Sequence, residues 1–434
     1  MLTIRTKFTI VYYGVFHFGI FIDPQQDYIM YDVIVIGAGS TGLQTSKILA
    51  EAGLRVAVFE KKNEVGKHII CTGIVGKKAY TQFDLCNDSR LTNISTIKLI
   101  SPKNECITWA NSEPIAYVVN RELFNSYLKQ LAQEQGTAIK LAHQVDSVSI
   151  KENHVEITAR VNNESSRKYM TRMLVIATGT DIRLLKHLGL GYPQHFLNAV
   201  QAEMEIEGID STMVFVGNEI APGSFAWVVP LNNNKMMKSN VSQPVSSYAG
   251  RTPARVGLMT EKSPWICFDE LLRKLQQMGI KVLDNYQVQH KPIAQGLVSR
   301  TYSDRVISVG EAAGQVKTTT GGGIYFGLIG AEIAARTIIK AFNNNDFSAN
   351  TLSEYERLWK KTLRPEIEIG YYARKVFRKM NDNQIENMFT IAQTDGVMPM
   401  VNSQADFDWH SGLIVSLIKN TSFYSIINTV RKLL

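Results

Sequence analysis

The run from Met30 to Glu60 constrains this 434-residue chain more than any other feature. Tyr31–Ile36 has the length and composition of a buried strand, and Gly37-Ala-Gly39-Ser-Thr-Gly42 follows it at once. Leu43–Ala52 then keeps helical spacing up to Gly53. A second strand-like run, Arg55–Phe59, delivers Glu60 about twenty residues beyond the glycines. Each position has a physical purpose. Gly37 permits the tight turn, Gly39 lets the backbone approach a pyrophosphate, and Gly42 lets helix and strand pack closely. The helix start offers free N–H groups and a positive dipole end to phosphates. Glu60 can accept hydrogen bonds from ribose hydroxyls. The order predicts a dinucleotide-binding unit of Rossmann type, with NAD and FAD both open on this motif alone.

Length implies two or three domains. With 45% hydrophobic and 20% charged residues the chain can bury a core, which excludes collagen-like and wholly disordered classes. Cys71, Cys86, Cys106 and Cys267 form no CxxC pair and share no ligand spacing with histidine, so neither a disulfide framework nor a metal site is expected. A reducing, cytoplasmic compartment follows. The 47 basic and 39 acidic residues leave a formal charge of +8 without any long basic block, which speaks against nucleic acid. Arg5 and Lys7 precede an apolar run, Phe8–Ile22, that falls short of the roughly 20 residues a membrane span needs. It also lacks a small-residue cleavage site. Residues 1–29 are therefore expected to be an appendage to the fold, either a surface anchor or an artefact of start-site assignment.

A second glycine constellation decides the cofactor. The strand-like run Arg305–Val309 ends in Gly310-Glu311-Ala-Ala-Gly314, and Thr318-Thr-Thr-Gly321-Gly322-Gly323-Ile324 opens a helix reaching Phe342. Three glycines before a helix make another anion-accepting helix start. A chain with both constellations resembles the flavoprotein superfamily of aromatic hydroxylases and geranylgeranyl reductases. Tyr117-Val-Val-Asn-Arg121 before a Leu123–Gln133 helix, and Leu174-Val-Ile-Ala-Thr178-Gly179, match further segments of that superfamily. The resemblance implies FAD. It would place Thr41 on the pyrophosphate, Glu60 on the adenosine ribose, Arg121 near the ribityl or phosphate groups, and Val145 against the adenine through its backbone. Glu311, standing where the family usually has Asp, would hold the ribityl chain, and Gly310 and Gly322 would also bind the cofactor. Gly323 and Ile324 would aim N–H groups at the flavin's pyrimidine edge, each helix-start interaction contributing roughly 0.3–2 kcal/mol.

Three more segments indicate the branch. Gly66-Lys-His-Ile-Ile-Cys71-Thr72-Gly73 resembles the K-x-C-x-G segment of geranylgeranyl reductases, with extra residues before the cysteine. Pro222-Gly-Ser-Phe225-Ala-Trp227-Val-Val-Pro230 resembles their Y-x-W-x-F-P motif, and Arg255–Leu258 fits the return strand behind it. Val309–Ala335 is similar to the archaeal members, although Thr318 stands where many have Pro, and the resemblance to geranylgeranyl reductases spans nearly all of residues 30–434. Along a strand Phe225 and Trp227 share one face, suited to the wall of an apolar cavity closed by Pro230. The resemblance puts Cys71 and Thr72 in the flavin pocket and makes Cys71 a candidate catalytic group. No Ser/His/Asp arrangement appears, and His68 is the histidine closest to Cys71 in sequence.

The fold expected is α/β: a discontinuous Rossmann-like FAD-binding domain (30–89, 119–185, 295–345), an inserted antiparallel β-sheet substrate domain (90–118, 186–294) and a C-terminal helical region (346–434). The function implied is saturation of C=C bonds in geranylgeranyl chains of membrane ether lipids or their precursors. An unactivated alkene is a poor hydride acceptor, so orientation must supply much of the rate, roughly 7–11 kcal/mol. The reductant would be NADPH, ferredoxin or a deazaflavin, and a lipid substrate implies peripheral membrane association. A flavin-dependent monooxygenase or halogenase on the same scaffold, and a non-catalytic prenyl-lipid escort, are the rival expectations.

Overall fold

The computed structural model describes residues 30–231, 251–283, 286–394 and 397–419. The expected appendage at residues 1–29 and the end of the C-terminal region lie outside them. The nucleotide sheet is built on Met30–Ile36, flanked in parallel by Val56–Phe59 on one side and Ser165–Ile176 on the other. Val306–Ser308 extends it in parallel beyond Ser165–Ile176, and Ala138–Lys140 beyond Val56–Phe59. Met30–Ile36, Val56–Phe59 and Val306–Ser308 are buried along most or all of their length, which is why they read as near-continuous apolar runs. Helices Ser40–Glu51, Arg121–Glu134 and Ile324–Asn343 cover one face, and Phe124, Phe326, Tyr355 and Trp359 fill the core between them. The hairpin His143–Ile150/Val155–Val161 is attached to the sheet through Ser165–Ile176.

The second large sheet runs from Lys281–Val282 through His195–Glu207, Arg251–Thr260, Phe225–Pro230, Thr212–Val216 and Thr96–Ile100 to Cys106–Ala110. Gln289–Gln295 pairs with His195–Glu207 beside it. Pairing is antiparallel except where Thr96–Ile100 meets Thr212–Val216 in parallel. Helix Pro264–Gln277 packs on the outer face through Cys267, Phe268, Leu271 and Leu275, burying Ala226 and Val228. Trp227 and Val229 turn to the opposite face. That alternation is the one read from the sequence.

Residues 90–118 divide between two sheets. Arg90–Ile94 and Ala116–Val119 form a separate three-stranded sheet with Ile74–Gly76. Ile115 N–H closes onto the Ile94 carbonyl at 2.8 Å, so only the excursion between them reaches the large sheet. The C-terminal part consists of Ala349–Phe377, Asp382–Thr394, Val397–Gln404 and Ser411–Lys419. Among the described residues no helix is long and apolar enough to cross a membrane.

Candidate flavin and substrate site

A groove of about 300 Å³ opens at the C-terminal ends of the parallel strands, lined by Gly37, Gly39, Glu60, Val145, Thr178 and Gly179 among others. Ligands of open α/β sheets bind at this end. Gly37 has φ +108°, and a Cβ there would sit 2.4 Å from the Ala177 carbonyl. A Cβ on Gly42 would lie 2.1 Å from the Gly37 carbonyl. Both glycines hold strand and helix together. Gly39 differs: a Cβ would meet nothing within 4 Å, because it points into the groove. Glu60 accepts from Ala38 N–H at 2.9 Å and Lys62 N–H at 3.0 Å, which fixes its carboxylate at the groove's edge.

The residues fit an ADP-bearing flavin. Arg121 is 9% exposed, and it donates to Asn125 Oδ1 at 3.2 Å. Its Nε and the Asn125 Nδ2 have no hydrogen-bond partner among the described residues. Buried donors left open in this way call for an acceptor. Burial pushes the Arg121 guanidinium below its usual value, against the opposing influence of Cys71. Thr41 departs from expectation. Its side chain packs against Gly310 and Gly327, where a Cβ would fall 2.8 and 2.3 Å from Oγ1. The hydroxyl therefore serves the packing of helices Ser40–Glu51 and Ile324–Asn343, and only the Thr41 backbone remains at the helix start. Gly310, at φ +68°, is required by the same contact.

A larger cavity of about 900 Å³ begins at Cys71, Thr72 and Gly321–Ile324, with Phe225 and Trp227 on its wall. No side chain caps the start of Ile324–Asn343, so the Gly323 and Ile324 end of that helix faces the cavity uncapped. Phe225 and Trp227 rings lie 5.9 Å apart. Pro230 does not line the cavity. It has the parity of Ala226 and Val228, and Val229 takes the place expected for it. The cavity continues between Ala349–Phe377 and Ser411–Lys419, where Tyr372, Val415 and Ile418 are exposed.

The Cys71–Gly73 loop is held from the large sheet. Thr72 Oγ1 donates to Gln201 Oε1 at 2.8 Å, and Arg255 Nη1 donates to the Thr72 carbonyl at 2.7 Å and the Val119 carbonyl at 3.1 Å. Cys71 Sγ accepts from Gly73 N–H at 3.3 Å. Arg255 and Gln201 sit on neighbouring strands about 130 to 180 residues from the loop, and no local pattern marks them. Glu311, expected on the ribityl chain, is paired with Lys291, whose Nζ lies 3.0 Å from its Oε2. Lys291 lines the cavity.

His68 is exposed and lines neither hollow. The histidine that does face the cavity is His410, which no motif singles out. Thr319 Oγ1 lies 2.6 Å from Nδ1, and the Phe407 carbonyl lies 3.0 Å from Nε2. A hydroxyl donating to Nδ1 and an N–H donating from Nε2 describe a neutral ring. Burial, reinforced by the Lys317 charge, pushes His410 down to about 4. The unfolded chain therefore takes up a proton near pH 6.5 that the folded protein refuses until about pH 4. The stability contributed by the neutral ring is complete above pH 6.5 and is lost as pH falls to about 4, ~3 kcal/mol in all. Denaturant titration across this window should show the loss in the parent and a flatter profile in His410→Gln. Equal slopes would place His410 in contact with water. Among the described residues no His/Cys/Asp/Glu cluster could hold a metal ion.

Residues 31–217 match the family model for pyridine nucleotide-disulphide oxidoreductases, so the groove and the glycine turn carry a flavin domain. Residues 31–217 form an FAD-dependent oxidoreductase domain. The chain's sequence is 27% identical over 375 residues to the digeranylgeranylglycerophospholipid reductase of Methanocaldococcus jannaschii, covering 82% of this chain and 89% of the relative. A reductase of the same name from Methanococcoides burtonii is 27% identical over 373 residues, covering 82% and 86%. Among solved structures, a geranylgeranyl bacteriochlorophyll reductase-like protein from Thermoplasma acidophilum superposes with a TM-score of 0.78 at 19% identity, covering 93% of this oxidoreductase and 99% of its own chain. A flavin-dependent brominase superposes at 0.63 with 14% identity, over 93% and 99%, and shares the fold.

Proposed function

We propose that this oxidoreductase saturates C=C bonds in geranylgeranyl chains of membrane ether lipids or their precursors. The observation that carries the reading is the cavity: about 900 Å³, walled by apolar side chains, and continuous from the uncapped glycine helix to an opening between two helices. That volume lies at the top of the usual range for small-molecule sites, as a long prenyl chain needs. The names of the relatives support the same substrate class. Each double bond takes up one hydride and one proton. Reduced FAD, when bound, supplies the hydride; NADPH, ferredoxin or a deazaflavin supplies its electrons.

The residues do the rest. An alkene offers no charge to grip, so Phe225, Trp227 and the facing aliphatic side chains bind and orient the chain, and exclude water. Arg255 and Gln201 hold the Cys71–Gly73 loop at the deep end. There the Cys71 thiol carries the proton delivered to the alkene. The uncapped helix start at Gly323 and Ile324 would offer its N–H groups to the negative charge that a bound flavin gains on reduction. Exposed Tyr372, Val415 and Ile418 at the opening favour peripheral contact with a bilayer, from which the chain enters.

The test is anaerobic incubation of dithionite-reduced protein with vesicles of unsaturated archaeal-type ether lipid, followed by sedimentation and mass spectrometry. Stepwise gain of hydrogen by the lipid, with protein in the pellet, is expected. Lipid recovered unchanged refutes the substrate, and protein wholly in the supernatant refutes the membrane contact. Trp227→Ala should keep FAD and lose about tenfold in turnover, or ~1.4 kcal/mol of transition-state binding. Equal loss of flavin and turnover would remove Trp227 from the cavity's function. Cys71→Ala in the same assay should abolish turnover with flavin retained; undiminished turnover would assign the proton to another group.

A further inference from the structure

Lys291, paired with Glu311, brings a charge to the flavin end of a mostly apolar cavity that Lys317, Arg374 and Asp408 also line. Lys291 stands on Gln289–Gln295, where it pairs with Ala199 of the neighbouring strand. Ile293, two residues on and so on the same face, packs on Gly321, where a Cβ would lie 3.1 Å from its Cγ2. The Lys291 side chain is thereby directed to the end of the cavity that also holds Cys71, Thr72 and Gly321–Ile324. Glu311 comes from the other domain. It sits in the turn after Val306–Ser308, and its Oε2 lies 3.8 Å from where a Gly179 Cβ would stand. The pair spans 3.0 Å. Burial, the largest single influence, works against the ammonium, but Glu311 and Cys71 together outweigh it and the Lys291 pKa is raised.

We propose that Lys291 and Glu311 set the reduction potential of the bound flavin as opposed charges, the ammonium favouring the reduced ring and the carboxylate disfavouring it. Two-electron reduction with uptake of one proton leaves the ring negatively charged. A fixed charge at the edge of a poorly solvated site acts on that negative charge more strongly than it would in water. The inference needs only that the site holds FAD and is independent of the prenyl substrate.

Midpoint potentials of the purified, FAD-loaded protein, without lipid, test it. Lys291→Met leaves Glu311 unopposed and should lower the potential, by at least tenfold in the reduction equilibrium, about 30 mV for two electrons. Glu311→Gln leaves Lys291 unopposed and should raise it by a similar amount. The double variant should lie between them, and Lys291→Arg should match the parent. Shifts of the same sign, or unchanged potentials accompanied by weaker FAD binding, would overturn the proposal and leave the pair as a tie between strand and loop. Should Lys291→Met fail to retain FAD, Glu311→Gln decides alone: a potential that does not rise refutes the assignment.

Discussion

A Gly39→Val variant is expected to purify as a folded protein that has lost its flavin absorbance. The reason is where the new atoms go. A Cβ on Gly39 meets nothing within 4 Å of the protein itself, so valine does not strain the fold. Its methyl groups enter the groove between the glycine turn and the Val145 strand, which is the space a pyrophosphate needs if the N–H groups of the Ser40–Glu51 helix are to reach it. FAD affinity should fall by at least a hundredfold, about 2.7 kcal/mol. The melting temperature should fall only by the stabilisation that the ligand had supplied. The neighbouring glycines should behave differently. At Gly42 a Cβ would lie 2.1 Å from the Gly37 carbonyl, and at Gly37 it would lie 2.4 Å from the Ala177 carbonyl with φ at +108°. Valine at either position should compromise folding, because no flexible side chain can move aside. Visible absorbance and circular dichroism on the three variants separate the two outcomes. A yellow Gly39→Val protein would mean that the groove does not hold the pyrophosphate.

What the sequence disclosed and what it concealed divide along the range of the interactions. The turn at Gly37–Gly42, the glycine-rich helix start at Gly321–Ile324 and the shared face of Phe225 and Trp227 are properties of a few consecutive residues. Backbone sterics and the two-residue period of a strand suffice to read them. The cavity uniting Trp227 with Gly321–Gly323 is consistent with that reading. Thr41 and Pro230 show its limit, since their motifs are local but the directions of their side chains are not. Thr41 is claimed by Gly310 and Gly327, and Pro230 by the parity of its strand. Gln201, Lys291, the cavity position of His410 and the hold of Arg255 on the Cys71 loop escaped notice because an isolated polar residue has no periodicity. Each acquires a purpose only when a partner from another segment arrives: Thr72, Glu311 or Thr319.

Lys317 and Asp408 are the strongest case of a partner supplied from afar, and Lys317→Met should be the most destabilising conservative-volume change at the cavity. The two side chains are 7% and 2% exposed, and Lys317 Nζ lies 2.8 Å from Asp408 Oδ1. The ammonium also donates to the Phe407 carbonyl at 3.1 Å and lies 4.8 Å from the centre of the Phe407 ring. Removing it strands a carboxylate that packs against Gly76 and is only 2% exposed. Breaking a buried pair in this way costs about 3–5 kcal/mol. The damage should reach the flavin end, because the Lys317 backbone frames the glycine loop. Its N–H donates to the Gly322 carbonyl at 3.0 Å, and its carbonyl accepts from Gly321 N–H at 2.7 Å. Thermal unfolding should show a melting temperature lower by on the order of 10 °C. Lys317→Met combined with Asp408→Asn should recover part of the loss, because an amide leaves no uncompensated charge behind. A single variant within about 0.5 kcal/mol of the parent would mean that water reaches Asp408, and that the segment from Phe407 to His410 does not seal this side of the cavity.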